Sequence, residues 1–321
     1  MVRLWLKLFQ DCRRALLLTM VLLFCFQLFW VLVTKRVITE FSPLFRGIAN
    51  RLQVQEEMFQ KHFFSGPGKI MQSILGGENI RFNRVQDTLV VGYLHPLVQI
   101  IFCLWAIGRA SGAIAGEIDK GTMELLLAQP ISRSKIILAH LGIDLLALPL
   151  LAVTVWLGTF VGILLVGPFE VKESHFEMFN IVIPSEAFQI KVDPQSLAPS
   201  VWNIMAFLFA LSGLTIFFSA MGRFRNRVIG LVVFLVLIQF IINVLGQLWQ
   251  PLEMLRPLTL FYYYQPQLIS LYHHWYVDPG QIWLKHGLVS LHLVWTLIGI
   301  GSLGYLLAWW QFSRRDVPAP L

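Results

Sequence analysis

Six long apolar segments constrain the fold of this chain more than any other feature of its sequence. Each holds about 20 or more mainly apolar residues, the length that an α-helix needs to cross the ~30 Å hydrocarbon core of a bilayer. The predicted spans are 15–34, 89–108, 136–166, 201–221, 228–249 and 287–310. The sequence therefore predicts an all-α polytopic membrane protein with six transmembrane helices.

The amino-acid composition excludes an ordinary soluble domain. Of the 321 residues, 56% are hydrophobic and 13% are charged, whereas charged residues make up about 25% of a typical soluble domain. The net charge of +7 does not indicate nucleic-acid binding, because no basic run stands free of an apolar neighbour. The cysteines, Cys12, Cys25 and Cys103, lie in or beside the predicted spans without metal-ligand spacing. Neither a disulfide framework nor a metal site follows from them.

The distribution of basic residues predicts how the chain is oriented. Thirteen Lys and Arg residues lie in four short segments, 1–14, 109–135, 222–227 and 314–315. The loops 167–199 and 251–286 hold only four between them. Because Lys and Arg accumulate in short cytoplasmic loops, both termini are predicted to be cytoplasmic, in a multi-pass protein of the plasma (inner) membrane.

Residues 1–14 form the pattern of an amphipathic helix. Arg3, Lys7, Gln10 and Arg14 fall at helical spacing on one face, and apolar residues occupy the other. This pattern predicts an interfacial helix in contact with membrane lipid. The alternative is a basic leader that only fixes the orientation of the first span.

Three connections are predicted to be extracytoplasmic loops: 37–88, 167–199 and 251–286. A helical pattern lies around 43–63, and the alternation near 188–193 is compatible with a short strand. The tyrosines at 262–264 suit a belt of aromatic residues at the membrane surface.

The segment 116–135, between the second and third spans, is predicted to be a structured cytoplasmic loop. Gly121 interrupts the arriving helix, and Thr122 is suited to cap a new helix. That helix covers 123–129, about two turns, and Pro130 ends it.

The short predicted helix presents three leucines beside acidic residues. Leu125, Leu126 and Leu127 stand next to Glu117 and Glu124 in the sequence. Apolar residues on so small a helix need a partner or a lipid surface. The alternative is a capped connection whose acidic residues only keep it soluble.

Two polar patterns inside the spans are weaker candidates for a substrate pathway. Gln239, Asn243 and Gln247 stand four residues apart on span five. They either line a pathway or form hydrogen bonds between helices. His140 and Asp144, on span three, are also four apart. A solvated extension of the helix is the favoured interpretation of this pair, and Asp144 is kept as a pathway candidate.

The loop sequence resembles the ABC-2 type permeases. The residues that carry the resemblance are Gly116-Glu117, then Gly121 to Leu127, then Gln129 to Arg133. It is closest to the branch associated with multicopper-enzyme maturation. Six spans, an amphipathic N-terminal helix, an Arg-rich turn at 222–227 and the ending at 312–316 extend it over most of the chain.

The resemblance implies a permease that dimerises, with a second copy or a homologous permease, and that usually exports its substrate. It also implies separate ATPase subunits bound at the cytoplasmic loop. The residues assigned to that contact by position are Glu117, Gly121, Thr122, Glu124, Pro130 and Arg133. Leu125 to Leu127 are expected to fill a cleft in the ATPase.

Catalysis is not expected on this chain. The stretch that ends at Lys69 is not a phosphate loop, because Phe63 stands where the first glycine is required. ATP and Mg are therefore expected on the partner ATPase, with no cofactor and no metal on this chain. The alternative function is a membrane-embedded enzyme or assembly factor that uses intramembrane His and Asp residues. The different predicted depths of those residues argue against it.

Overall fold

A computed structural model describes residues 2–55, 58, 68–75, 84–129, 131–170, 189–283 and 289–315. Within these residues, six helices are long and apolar enough to cross a membrane. The predicted all-α polytopic fold with six spans is confirmed. The apolar stretches lie within Leu4–Thr39, Val85–Asp119, Arg133–Val166, Pro194–Met221, Arg225–Leu248 and Leu293–Arg314.

The spans are numbered here by their helices. Span 1 is Val2–Arg51, span 3 is Arg133–Val166, span 4 is Ser200–Met221, span 5 is Arg225–Leu248 and span 6 is Leu293–Arg314. Span 2 consists of Val85–Leu94 and Pro96–Ser111, followed by a π-helical segment, Gly112–Gly116, and a single turn, Glu117–Asp119. The helix Thr122–Leu127, called the loop helix below, precedes span 3.

The first and last described residues lie at the same end of the bundle as the loop helix, which we call the loop end. Arg133 contacts Phe312 there, and a small crevice is lined jointly by Leu4 and Leu126. The turn between spans 4 and 5 is also at the loop end, since Arg315 donates to the carbonyl of Gly222. The opposite end of the bundle is called the far end.

Span 1 differs from its prediction. One uninterrupted helix, Val2–Arg51, replaces the expected separate helix over 1–14 and span over 15–34. The early residues pack on protein, because Leu4 is buried and Trp5 lies against span 3, where a Cβ on Gly142 would be 3.1 Å from Trp5 Nε1. That packing lets the helix continue without a break. Contact of its polar face with lipid stays a prediction.

The far end carries short elements. In the first two loops the structure describes a helix, Gly68–Leu75, and an antiparallel pair of two-residue strands, Phe169–Glu170 with Gln189–Ile190. The predicted helix over 43–63 lies partly outside the described residues; its first part belongs to span 1. The last loop contains helices Gln250–Glu253, Leu260–Tyr263, Pro266–Tyr272 and Pro279–Trp283, and strands Tyr276–Val277 and Leu291–His292. Single 3₁₀ turns lie at Pro194–Leu197 and Arg256–Leu258.

The three consecutive tyrosines do not form a lipid-facing belt. Tyr262, Tyr263 and Tyr264 are all buried. The Tyr264 hydroxyl donates to the carbonyl of Tyr93 at 2.7 Å, and its ring stacks on Phe207. Asn203 explains the difference, because its side-chain amide binds the backbone of Tyr263 and Gln265 and holds this loop against span 4.

Glycines set the closest helix crossings. A Cβ on Gly213 of span 4 would lie 2.2 Å from the carbonyl oxygen of Gly301 of span 6, and a Cβ on Gly304 would lie 2.3 Å from that of Gly213. Gly158 and Gly162 of span 3 face span 1, where a Cβ on Gly158 would lie 2.9 Å from the carbonyl oxygen of Phe24 and one on Gly162 would lie 2.8 Å from the Val31 side chain. Small residues let membrane helices approach backbone to backbone, so these positions fix how the spans are arranged around the loop.

Candidate functional site: the loop and its attachment to the spans

Gly121 separates the end of span 2 from the loop helix, as its sequence position predicts. Its φ is +71°, in the left-handed region that glycine adopts without strain. Thr122 does not cap the helix with its side chain, contrary to the prediction. Its hydroxyl donates instead to Glu117 Oε2 at 2.6 Å. Both residues therefore stabilise the sharp turn at Gly121.

The loop helix has an inward and an outward face. Met123 is buried in an apolar cluster with Ile114, Ile136 and Phe312. Leu126 and Leu127 are half-buried against the same cluster. Leu125 is on the opposite face and is 70% exposed. Of the three leucines, Leu125 therefore points away from the bundle while Leu126 and Leu127 pack partly on it, and burial of Leu125 to Leu127 in the ATPase stays a prediction.

The sequence carried a signal for this arrangement that the prediction missed. Met123, Leu126 and Leu127 stand at i, i+3 and i+4, which places them on one side of a helix. Leu125 falls on the other side of the same helix. Glu124 is exposed as expected, whereas Glu117 is half-buried and holds Thr122.

Arg133 contacts the end of span 6. Its Nη1 donates to the carbonyls of Phe312 at 3.1 Å and Ser313 at 3.4 Å, and its guanidinium lies 5.7 Å from the centroid of the Phe312 ring. A helix leaves its last carbonyls without partners, and a basic side chain can satisfy them. Arg133 therefore caps the C-terminus of span 6, and its predicted contact with the ATPase stays a prediction. Pro130 lies outside the described residues.

Arg315 has the corresponding role at the end of span 4. Its Nη1 donates to the carbonyls of Ala220 and Gly222, both at 2.8 Å. Burial lowers the pKa of Arg315, and the positive charge of Arg223 lowers it as well. The basic residues of the loop end thus join spans 3, 4 and 6 and are more than markers of orientation.

A buried ion pair lies deeper in the bundle. Arg109 of span 2 pairs with Asp144 of span 3, and the hydroxyl of Tyr305 of span 6 donates to the same carboxylate oxygen. His140 Nδ1 is 3.4 Å from Arg109 Nη1. The solvated helix extension expected for His140 and Asp144 is wrong, because both side chains are buried.

The ion pair connects three spans within the membrane part of the bundle. Asp144 follows Arg133 by eleven residues, which corresponds to about 16 Å along the helix at ~1.5 Å per residue. A charge at that depth requires a partner. Arg109 was detectable as a single basic residue in an otherwise apolar stretch, whereas nothing in the sequence marked Tyr305.

The amide stripe on span 5 divides into two parts. Gln239 Oε1 accepts a hydrogen bond of 2.9 Å from the backbone N–H of Leu260, so it holds a far-end loop. Asn243 is buried, and within the described part of the chain Asn243 Oδ1 and Gln247 Nε2 have no hydrogen-bond partner. Asp144 bonds with Arg109 and Tyr305 and not with these amides.

A small crevice at the loop end lies between span 1, the loop and span 3. It is lined by Leu4, Lys7, Leu8, Asp11, Ala113, Glu117, Met123, Leu126, Ile136 and His140. Among the described residues, no three His, Cys, Asp or Glu side chains come together as metal ligands. The crevice lies beneath the loop helix, since Met123 and Leu126 line it.

Six spans, with a short helix in the loop between spans 2 and 3, define a multi-pass membrane protein. The family model described as ABC-2 family transporter protein matches residues 9–317. The chain belongs to this family and is an ABC-type permease, a transport subunit rather than an enzyme. Searches of curated proteins and of solved structures found no match. The narrower resemblance to the multicopper-maturation branch stays a prediction.

Proposed function

We propose that this chain is the permease subunit of an ABC exporter in the plasma membrane, energised by a separate ATPase that docks on the 116–135 loop. ATP and Mg belong to that partner, and this chain carries no cofactor. Because the ATPase is cytoplasmic, the loop end of the bundle faces the cytoplasm in this proposal. Family membership supports the general function, while export and the partner ATPase are the parts that we propose.

The two faces of the loop helix are the observation that carries the proposal. Met123 fixes the helix to the bundle, and Leu125 on the other face is 70% exposed. A contact that transmits force has to be attached firmly on one side and to present an anchor for the partner on the other. Apolar anchors in a desolvated pocket contribute strongly to protein–protein contacts.

Exposed charged residues are near this anchor in the sequence. Asp119, Lys120 and Glu124 are all exposed and lie within six residues of Leu125. Such a rim favours the choice and orientation of a partner more than its affinity. We infer that Glu124 meets basic residues on the ATPase, whereas Glu117 acts by holding Thr122 and so shaping the loop.

We also propose that two permeases associate in the complete transporter, as the family resemblance implies. In the most apolar stretches of span 1 and span 5, only 22% of the residues are buried within this chain. These faces meet lipid, a second copy or a homologous permease. Their exposure supports the proposal without choosing among these contacts.

The alternative of a membrane enzyme receives no support from the ionisable cluster. Asp144 pairs with Arg109 and Tyr305, and His140 lies beside the same guanidinium. A general base or nucleophile requires access to a substrate, and these side chains are buried against one another. The arrangement is that of a connection between helices.

The test compares two exposed leucines. Leu125 lies on the loop helix at the loop end, and Leu52 follows span 1 at the far end. Leu125→Asp should weaken retention of the ATPase during purification and reduce ATP-dependent transport, because it places a charge in the proposed contact. Leu52→Asp is the control, since Leu52 is also exposed but lies at the far end. Equal ATPase retention and transport for Leu125→Asp and wild type would refute docking on this loop.

A further inference from the structure

The last part of span 2 is not an α-helix. Gly112–Gly116 forms a π-helical segment between Arg109 of the buried ion pair and the turn that leads to the loop helix. Single π-helical turns are rare in proteins, and many of those that are found lie at functional sites. This one lies on the direct covalent route from the loop to the membrane part of the bundle.

Ser219 of span 4 is inserted into the hydrogen-bond ladder of this segment. In an α-helix the N–H of Ala115 donates directly to the carbonyl of Ser111. Here the N–H of Ala115 donates to Ser219 Oγ at 3.0 Å, and that hydroxyl donates to the carbonyl of Ser111 at 3.0 Å. It also accepts from the N–H of Ile114 at 3.2 Å. The hydroxyl thus uses its full hydrogen-bonding capacity.

Arg225 of span 5 satisfies the other backbone group that the π-helical segment changes. The N–H of Gly112 donates to the carbonyls of Arg109 and Ala110, although in an α-helix it bonds to the carbonyl of Gly108. The Gly108 carbonyl accepts instead from Arg225 Nη2 at 2.8 Å.

Gly116 of the segment leaves room for the arginine. A Cβ on Gly116 would lie 3.3 Å from Arg225 Cδ, closer than most real contacts, so the arginine side chain runs directly along this backbone. The backbone N–H of Arg225 also donates to Asp119 Oδ2, just before the loop helix, at 3.3 Å. Arg225 therefore holds both the π-helical segment and the turn beyond it.

An ordinary α-helix needs neither Ser219 nor Arg225, because its backbone groups bond within the helix. The π-helical form holds one more residue in its turn. A change between the two forms rotates everything beyond it by about 100° relative to Arg109. Arg109 of the ion pair precedes the π-helical segment in the chain, and the loop helix follows it. The rotation would therefore turn the loop helix relative to the ion pair.

We propose that Gly112–Gly116 is the hinge through which movement of the loop reaches the spans, and that Ser219 and Arg225 are the positioning residues that hold it. Ser219 acts from span 4 and Arg225 from span 5, so the turn between these spans controls the angle of the loop. This inference rests on the proposed function, in which the loop receives the movement of an ATPase.

The first test needs no ATPase. Spin labels at the exposed positions Glu124 and Ser313, in a cysteine-free background, report the distance between the loop helix and the end of span 6. Ser219→Ala should shift or broaden this distance distribution. Thr215→Val is the matched control, because Thr215 is a buried hydroxyl residue one turn earlier whose side chain, among the described residues, bonds to Leu211 of its own helix and to no other span. An unchanged distribution for Ser219→Ala would overturn the proposal.

A second pair of variants covers the case in which Ser219→Ala does not fold. Arg225→Lys keeps the positive charge but loses the guanidinium that reaches the Gly108 carbonyl. Arg227→Lys is its control in the same turn, where the arginine lies over the Phe224 ring. The proposal requires that Arg225→Lys change the label distance relative to wild type and that Arg227→Lys leave it unchanged. Identical label distances in the two variants would overturn it.

The second test measures transport per ATP hydrolysed in the reconstituted complex. Ser219→Ala should keep its ATPase and its hydrolysis and lose transport several-fold per ATP, whereas a residue needed only for folding would lower assembly and both activities together. Wild-type coupling in Ser219→Ala would overturn the hinge and leave the proposed function standing. If the wild-type chain shows no ATP-dependent transport, the proposed function fails, and the label distances still decide whether Ser219 and Arg225 hold the segment.

Discussion

Tyr305 donates a hydrogen bond to Asp144, a residue 161 positions earlier in the chain, and so joins span 6 to span 3 inside the bundle. Arg109 of span 2 meets the same carboxylate oxygen. Three spans therefore share one buried charge. The loop end is held in addition by Arg133 and Arg315, which cap the ends of spans 6 and 4.

Loss of one partner of this ion pair should destabilise the chain strongly. Asp144→Asn leaves the charge of Arg109 buried without its counterion, at a cost of ~3–5 kcal/mol. Thermal unfolding in detergent should show a clear fall in the midpoint. The double variant Arg109→Met with Asp144→Leu should recover most of the loss, because replacing a whole buried pair is often neutral. A single variant as stable as wild type would contradict this account.

Glycines at the crossing of spans 4 and 6 should not tolerate a methyl group. Gly304→Ala brings a Cβ to 2.3 Å from the Gly213 carbonyl oxygen, which forces the helices apart. Gly299→Ala, on the same helix, meets nothing within 4 Å and should be neutral or stabilising by up to ~1 kcal/mol, since alanine favours the helix. Thermal stability of the two variants, measured side by side, tests the crossing. Equal stability would mean that the backbones are not in contact.

The amides of span 5 should respond differently to the same substitution. Gln239→Leu removes the acceptor for the Leu260 N–H and should cost about 1 kcal/mol of stability. Asn243 Oδ1 has no hydrogen-bond partner among the described residues, so Asn243→Leu should lower transport while the complex stays assembled, as expected for a residue that lines the pathway. Assembly and transport are measured for both variants. Normal transport by Asn243→Leu would exclude it from the pathway.

The orientation of the chain can be tested at the turn between spans 4 and 5. Asn226 is exposed there, next to three arginines that favour the cytoplasmic side. A cysteine introduced at Asn226 should react with an impermeant thiol reagent only in opened cells. Labelling from outside intact cells would place this turn on the extracytoplasmic side and would contradict the predicted topology.

Much of the fold was predictable from the sequence because membrane spans have a strong local signal. Long apolar stretches predicted six helices, and Gly121 predicted the break before the loop helix. The prediction that residues 1–14 form a separate helix was wrong, because these residues belong to the continuous helix Val2–Arg51. Its apolar face packs along span 3, and no residue near position 14 stops a helix. Local patterns describe such a face but not which surface it meets.

The contacts that build the candidate site could not be predicted in the same way. Arg109 and Asp144 lie far apart in sequence and meet only after spans 2 and 3 have packed. Ser219 is one of several small polar residues in an apolar helix, and its role becomes visible only beside the π-helical segment. Thr122 was a plausible cap on local grounds, yet Gly121 occupies the N-cap position and Thr122 is the first residue of the helix, where its hydroxyl donates to the Glu117 carboxylate.

Site-specific photocrosslinking in the assembled transporter tests the central claim most directly. A photoreactive residue at Leu125 should crosslink to the ATPase, because this side chain points away from the bundle. The same probe at Met123 should crosslink only within the permease, and at Leu52 it should not reach the ATPase. Crosslinking of the ATPase at Leu125 alone is the predicted result. A transporter that moves substrate with ATP, yet gives no ATPase crosslink at Leu125, would contradict docking on the loop helix.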